Sequence, residues 1–509
     1  MKIASVFNGV LGPVMRGPSS SHTAGSYHIG KLARDILGVR PLSAKIYFDV
    51  NGSYGKVYRE QGSDRGFILG LLGRSLLDDE FGDAYGAAAR ASCEVEFSTG
   101  AFAGAVHPNW VKLFLSGVDD CATEVTAVSI GGGSIVVTEI DDFPVKIAGD
   151  LWALVVRCEE AAPVAKSLAP YGTVEIKSCT GANLVVLQGE EEPPDAAVFA
   201  LREKGLFPRV IAPVFFPLKG EPPFQSAEEL ESFASDKNLT LGETALEYEC
   251  ALLGMARDEA MDEMRRRYSL MKAACERVLE GGVVPATQLL APVADKIWSA
   301  GNAGELPFFG PGSKAAVRAM AIMHANSGME VVCAAPTGGA AGTLPGVILT
   351  LEDELNLSEN ETLMLLWAAA AVGLILDTRA TFAAEAAGCQ VEIGAGGAMA
   401  SAACVVAAGG TVRQALDAAA VSFQNTMGSI CDPVQGIVEI PCHTRNAAAA
   451  SAAFTNADII IGGYDNPIPL DETIDAVYAS GKMIPPELRC TSLGGLSLCP
   501  SALAMKRRR

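Results

Sequence analysis

The sequence predicts an α+β fold: an N-terminal α+β domain over residues 1–148, a small βαββαβ module over 149–216, a linker at 217–226 and an all-helical domain over 227–509. Three observations carry this reading. Short β-like runs broken by glycine turns fill the first part. A regular alternation of strand-like and helix-like segments follows it. Beyond a proline-rich stretch, nearly every segment shows apolar residues at helical spacing.

In the first part, AKIYFDV at 44–50 reads as a strand and Arg65–Leu72 as the start of a helix with an apolar face. Glu94–Phe97 and Ala127–Ile130 read as further strands, the second ending in the turn Gly131-Gly132-Gly133. In the second part, LWALVVRC (151–158) is strand-like and Ala162–Tyr171 helix-like. VEIKSC (174–179) and NLVVLQ (183–188) are strands, Pro194–Lys204 a helix and RVIAPVF (209–215) a last strand. That order is ferredoxin-like. PLKGEPP (217–223) is the linker. Leu241–Ala256 and Asp258–Leu279 then carry apolar residues every 3.6 positions opposite charged faces. Lys314–Ala453 is Ala-rich, with loops expected at Pro336–Gly342, Gly394–Gly397 and Cys431–Pro441. No internal repeat of fixed period is present.

Of the 509 residues 49% are hydrophobic and only 19% charged, which supplies a large core and points to packed, buried helices. The net charge of −20 repels phosphate backbones and argues against nucleic acid as a partner. Arg507–Arg509 read as a solvated end. The start, MKIASVFNGVLGPVM, lacks the long apolar run of a secretory leader. Leu363–Leu376 is too short to span a bilayer, and Ala386–Gly410 carries Glu392, so both read as buried helices. A cytoplasmic protein without membrane association is expected. In a reducing compartment its 13 cysteines are free thiols, ligands or small core residues.

Five motifs carry candidate chemistry. GPSSSHTAG (17–25) gathers hydroxyls and a His on a glycine-bounded loop, suited to gripping a carboxylate or phosphate, or else a polar turn capping the next helix. AAPTGGAAGTLPG (334–346) is a glycine loop entering a helix, in isolation as well read as a structural turn. AAGCQVEIGAGGAM (386–399) sets Cys389, Gln390 and Glu392 in an apolar stretch, where a carboxylate needs a partner or a raised pKa. SICDPVQGIVEIPCHTRNA (429–447) holds Cys431, Asp432, Cys442, His443, Arg445 and Asn446, with thiol spacing that fits no common zinc pattern. LRCTSLGGLSLCP (488–500) carries Cys490 and Cys499.

Together these motifs resemble the iron–sulfur-dependent L-serine dehydratases of bacteria. GPVMRGPSSSHTAGSYHIG, HPN (107–109) and SIGGGSI (129–135) resemble the β part of that family. The APT-GG-G-LPG loop, GCQVE, CDPVQGIVEIPCHTRNA and TSLGGL resemble its α part, in the family's order over nearly the whole chain. The βαββαβ module resembles the ACT-type insert of some members. The resemblance implies a homodimeric lyase that converts L-serine to pyruvate and ammonia, using a [4Fe–4S] cluster with one open iron as Lewis acid. It implies His22, Glu392 and Asp432 as catalytic groups. It implies that Ser19, Ser20, Ser21 and Thr23 help His22 grip the substrate; with them, Gln61, His107, Asn109, Thr337, Arg445 and Asn446 are the candidate substrate contacts, and Cys389, with Cys431 and Cys490 as replacements, the candidate metal ligands.

The chain departs from the family pattern at several positions. Ala341 stands where the α-part loop usually has a cysteine, and Ile393 and Gly397 stand where a second thiol usually follows the GCQ cysteine. Gln61 replaces a His, and Cys490 replaces the Glu before the final Thr-Ser. Cys333, Cys431, Cys442, Cys490 and Cys499 are the thiols available as replacements. Two alternatives follow: a cluster-free relative acting on another small amino or hydroxy acid, and a non-catalytic amino-acid sensor built on the ACT-like module.

Overall fold

The computed structural model describes residues 3–179, 181–280, 282 and 284–508. They form two compact units. One is His22–Lys219; the other combines Met1–Ser21 with Gly220–Arg509.

The His22–Lys219 unit contains two sheets. The larger has six strands in the order Glu94–Gly100, Pro41–Asp49, Trp110–Gly117, Ala122–Gly131, Ser134–Ile140, Phe143–Ile147. Its first two strands run parallel and the rest antiparallel. The turn between Ala122–Gly131 and Ser134–Ile140 places Gly131, Gly132 and Gly133 all at positive φ, which explains the glycine run. Helices Gly25–Leu37 and Ser63–Leu72 pack closely because glycines face the contact. A Cβ on Gly30 would lie 2.7 Å from the Phe67 carbonyl oxygen, and one on Gly70 2.8 Å from the Lys31 nitrogen. Ile29, Leu32, Ile36, Ile46, Phe48, Phe67 and Leu113 fill the core between helices and sheet.

The smaller sheet is antiparallel, in the order Arg209–Ile211, Trp152–Cys158, Ala182–Gly189, Thr173–Cys179. Helices Ala161–Leu168 and Asp195–Arg202 complete the βαββαβ order read from the sequence. The last strand is shorter than the expected 209–215. Pro213 cannot donate to a ladder, and the amides of Val214 and Phe215 turn instead to the Gly149 carbonyl, at 2.8 and 3.1 Å.

The second unit is helical apart from one two-stranded pair, Val14–Arg16 with Val331–Cys333. Its helices start on side-chain caps: Thr240 with Glu243, Ser358 with Glu361 and Thr411 with Gln414 each form reciprocal capping boxes. Among the described residues two segments, Glu359–Arg379 and Cys389–Ala407, are long and apolar enough to cross a membrane by length and composition, but 89% of the apolar 18-residue window in each is buried inside the protein, as in core helices. The loop expected at Gly394–Gly397 is instead the first turns of helix Ile393–Ala407. These glycines serve close packing. Cβ atoms added to them would meet Thr426 Oγ1 at 2.7 Å (Gly394), Thr343 at 3.2 Å (Gly396) and Ser422 Oγ at 3.2 Å (Gly397).

Candidate metal centre

The site in the second unit is assembled from five segments far apart in sequence. The N-terminal segment is anchored first. Glu249, fully buried on helix Leu241–Leu253, accepts hydrogen bonds from Ser5 Oγ (2.7 Å), the Val6 amide (2.8 Å) and the Phe7 amide (2.9 Å). Strand Val14–Arg16 then pairs with Val331–Cys333, and Asn326 Nδ2 donates to the Pro18 carbonyl at 2.9 Å. This delivers Ser19, Ser20 and Ser21 beside the glycine loop. Ser20 Oγ accepts the Gly338 amide at 3.3 Å, and the Ser19 and Ser21 hydroxyls lie 3.4 Å apart. Gly338 has no room for a side chain, since its Cβ would stand 2.9 Å from the Ser20 nitrogen.

Thr337 caps the short turn that follows, accepting the Ala340 amide at 3.1 Å, and its hydroxyl also bonds Glu392. A Cβ on Gly339 would lie 3.2 Å from Glu392 Oε2, so the glycine leaves space for that carboxylate. Burial pushes the Glu392 pKa well above the usual carboxylate range, and the charge at Cys389 adds to the effect. The side chain is surrounded by protein yet keeps part of its surface accessible, as a group facing an internal space does.

The GCQ segment is fixed by its neighbours. Gly388 sits at φ +78, where a side chain is strained, and its Cβ would touch the Ser429 carbonyl oxygen at 2.5 Å. Gln390 is fully buried: its Nε2 donates to the Ala387 and Val477 carbonyls, and its Oε1 accepts the Gly428 amide at 2.7 Å. Cys389 is thereby held in one place.

Cys431 and Cys490 are brought together by reciprocal backbone bonds. The Cys431 amide donates to the Leu488 carbonyl and the Cys490 amide to the Cys431 carbonyl, both at 2.8 Å. Cys389, Cys431 and Cys490 pack in one buried cluster. Cys431 hydrogen-bonds both of the other thiols. Cys442, the first residue of the 20-residue helix Cys442–Ile461, is close enough to feel the charge at Cys389 and Cys490. The hydrogen bond from Cys431 and the Arg445 guanidinium hold the Cys389 pKa below the ordinary thiol range. That same bond raises the pKa of Cys431, and burial raises that of Cys442.

Arg445 Nη1 donates to Cys389 Sγ at 3.7 Å and to the Ile430 carbonyl at 2.8 Å, while its Nη2 pairs with Asp432 Oδ1 at 3.0 Å. Asp432 Oδ2 accepts the Leu496 amide at 2.8 Å, tying the C-terminal segment to the site. Asn446 spends both amide hydrogens and its oxygen inside the chain. Its Nδ2 donates to the Gly339 and Cys442 carbonyls, and its Oδ1 accepts the Thr343 amide and hydroxyl.

Ligand atoms of Cys389, Cys431 and Glu392 lie within 4.8 Å of one another. Thiols dominate the donor set, and soft thiolates select iron–sulfur groups or zinc over hard, oxygen-loving cations. The residues present therefore fit a thiolate-bound cluster. Among the replacement thiols considered from sequence, Cys431 and Cys490 pack beside Cys389, and Cys442 lies close enough to feel its charge. Cys333 instead donates to the Leu11 carbonyl at 3.6 Å, and Cys499 is exposed.

A family model for the serine dehydratase alpha chain matches residues 236–497. The chain belongs to the serine dehydratase family. It is 34% identical over 286 residues to the "Probable L-serine dehydratase, alpha chain" of Bacillus subtilis (strain 168), covering 56% of this chain and 95% of that one. It is 40% identical over 193 residues to the protein of the same description from Latilactobacillus sakei, covering 38% and 92%. The "Probable L-serine dehydratase, beta chain" of Bacillus subtilis (strain 168) matches over 156 residues at 38% identity, 31% of this chain and 69% of that one. Serine dehydratase alpha-type and beta-type parts thus stand in one polypeptide, and the family is generally iron–sulfur dependent.

Other residues singled out from sequence lie in the His22–Lys219 unit. His22 is fully buried, shares a hydrogen bond with Ser53 Oγ at 3.1 Å and meets the Tyr54 ring edge-on at 5.2 Å. Burial lowers its pKa to about 3, so the imidazole is neutral. Thr23 Oγ1 donates to the Gln61 carbonyl at 2.8 Å. His107 Nδ1 accepts the Asn109 amide at 3.1 Å, and burial lowers the His107 pKa to about 4.

Proposed function

We propose that this protein is an L-serine dehydratase-like lyase that eliminates water from L-serine and releases pyruvate and ammonia. The observation that carries the proposal is the grouping of Cys389, Cys431 and Glu392, whose ligand atoms lie within 4.8 Å of one another, with Cys490 packed against the same two thiols, in motifs shared with the family.

Cys389, Cys431 and Cys442 are the proposed holders of the cluster, with Cys490 beside them. When bound, the cluster supplies a Lewis acid for the leaving hydroxyl. Glu392 is the proposed proton-handling group: burial raises its pKa well above the usual carboxylate range, which favours the proton-bearing form. Arg445 donates to the Cys389 sulfur and is itself oriented by Asp432, which makes Asp432 a positioning residue. Ser19, Ser20, Ser21 and Thr337 offer hydroxyls to a substrate carboxylate beside the glycine loop. The parts proposed for His22, Thr23, Gln61, His107 and Asn109, and a homodimeric assembly, rest on the family resemblance.

The cluster-free alternative rested on the missing thiols at Ala341, Ile393 and Gly397. It rested also on Gln61 in place of a His; the packing of Cys431 and Cys490 beside Cys389 supports the cluster reading over it. All thirteen cysteines are free thiols, in keeping with a reducing compartment. The test is formation of pyruvate from L-serine by protein purified without oxygen. Turnover that is lost in Cys389→Ala is expected, and absence of any keto acid from L-serine overturns the proposal.

A further inference from the structure

We propose that the outer edge of strand Thr173–Cys179 is a docking surface for a second copy of this chain, the two strands pairing antiparallel about a two-fold axis at Ile176.

The strand ends its sheet. It pairs with Ala182–Gly189 on one side only, through seven successive residues without a register shift. On its other side a sheet-end strand presents backbone N–H and C=O groups that another strand can take up. Ile176, at the midpoint, is 46% exposed, a large apolar side chain that a partner strand would cover.

The other sheet edges described in the His22–Lys219 unit are blunted. Arg209–Ile211 is three residues long and is followed by Pro213. Phe143–Ile147 carries Pro144 and meets its neighbour with a register shift. Glu94–Gly100 carries two glutamates and no cation, so two copies bring like charges together there. Thr173–Cys179 has no proline, no shift and one charge of each sign.

This edge is complementary to itself. Glu175 and Lys177 flank Ile176 on one face of the strand, and their side chains form an ion pair at 2.8 Å. With Ile176 opposite Ile176 of the second copy, antiparallel pairing sets each Glu175 opposite Lys177 and each Val174 opposite Ser178. Opposite charges then face each other directly across the strands and extend the ion pair within each one. An axis at Glu175 or at Lys177 would set a charge opposite its like, so the charges select Ile176. Exposed ion pairs mainly fix the register; the strand hydrogen bonds and the covered Ile176 supply the attraction.

The test is sedimentation velocity of the full chain over a range of concentrations, as wild type, Lys177→Glu, and the charge swap that joins Glu175→Lys to Lys177→Glu. Wild type is expected to associate as concentration rises. In Lys177→Glu every facing charge is negative, and the dissociation constant is expected to rise by about tenfold, because two facing pairs change sign. The swap is expected to return it to near the wild-type value. Diamide cross-linking on a denaturing gel reads the register. Ile176→Cys faces itself and is expected to give a covalent dimer, whereas Val174→Cys, facing Ser178, stays at the wild-type background. The cysteine variants keep the test open should a charge variant fail to fold. A wild type that stays monomeric, an unchanged association in Lys177→Glu, a swap no better than Lys177→Glu, or equal cross-linking of the two cysteine variants overturns the proposal.

Discussion

Arg445 Nη1 donates to the Cys389 sulfur at 3.7 Å while the same guanidinium pairs with Asp432 at 3.0 Å. One cation thus keeps a thiolate and a carboxylate in a buried place where neither is stable alone. Asp432 is only 2% exposed. Replacing Arg445 by Met leaves a buried charge unpaired, at a cost of about 3 kcal/mol. The expected outcome is a thermal midpoint lower by several degrees together with reduced iron retention; Arg445→Lys recovers part of both. Unchanged iron content in Arg445→Met contradicts the role.

Asn446 ties the glycine loop to the helix that starts at Cys442. Asn446→Ala removes the partner of the Thr343 amide and of the Gly339 carbonyl, which costs about 2–4 kcal/mol. Calorimetry of the variant shows a clear drop in unfolding temperature. A neutral substitution rules out this bracing.

Glu249 holds the leading segment through three hydrogen bonds. Glu249→Ala removes the acceptor from two buried amides and a hydroxyl, a loss of about 3 kcal/mol. Limited proteolysis is expected to cut before Ser19 faster in the variant than in wild type. Equal cleavage rates show that the segment is held by other contacts.

Acid lowers stability through the histidines of the His22–Lys219 unit. Burial holds His22 at about 3 and His28 and His107 at about 4, against an ordinary 6.5. Below pH 6.5 the unfolded chain takes up protons that the folded chain refuses, so stability falls as pH drops from 6.5 toward 4. Each group contributes about 1.4 kcal/mol per pH unit in that window. Unfolding midpoints measured between pH 7 and 4.5 follow this slope, and His22→Asn makes it shallower by one group's share. An identical slope in the variant contradicts a neutral, buried His22.

Much of this organisation was legible because it is local. The switch from period-2 to period-3.6 patterning marked the βαββαβ module, and Gly131–Gly133 marked a turn that needs positive φ. The glycines at 394–397 misled because a glycine run serves a tight helix crossing as well as a loop, and only the neighbours Thr343, Ser422 and Thr426 decide which. The metal centre was half legible. Cys389, Cys431 and Glu392 stood in recognisable motifs, but a search for thiols at fixed local spacing turned on Ala341, Ile393 and Gly397. Cys490, singled out from sequence, comes beside Cys389 and Cys431 only across long range, through a backbone bridge that joins residues 431 and 489.

The central claim is that these thiols hold an iron–sulfur cluster. Iron and acid-labile sulfide per chain, measured on protein purified without oxygen, test it most directly. About four of each per chain, lost in Cys389→Ala, is the predicted result. A wild-type protein with neither iron nor sulfide after anaerobic reconstitution contradicts it.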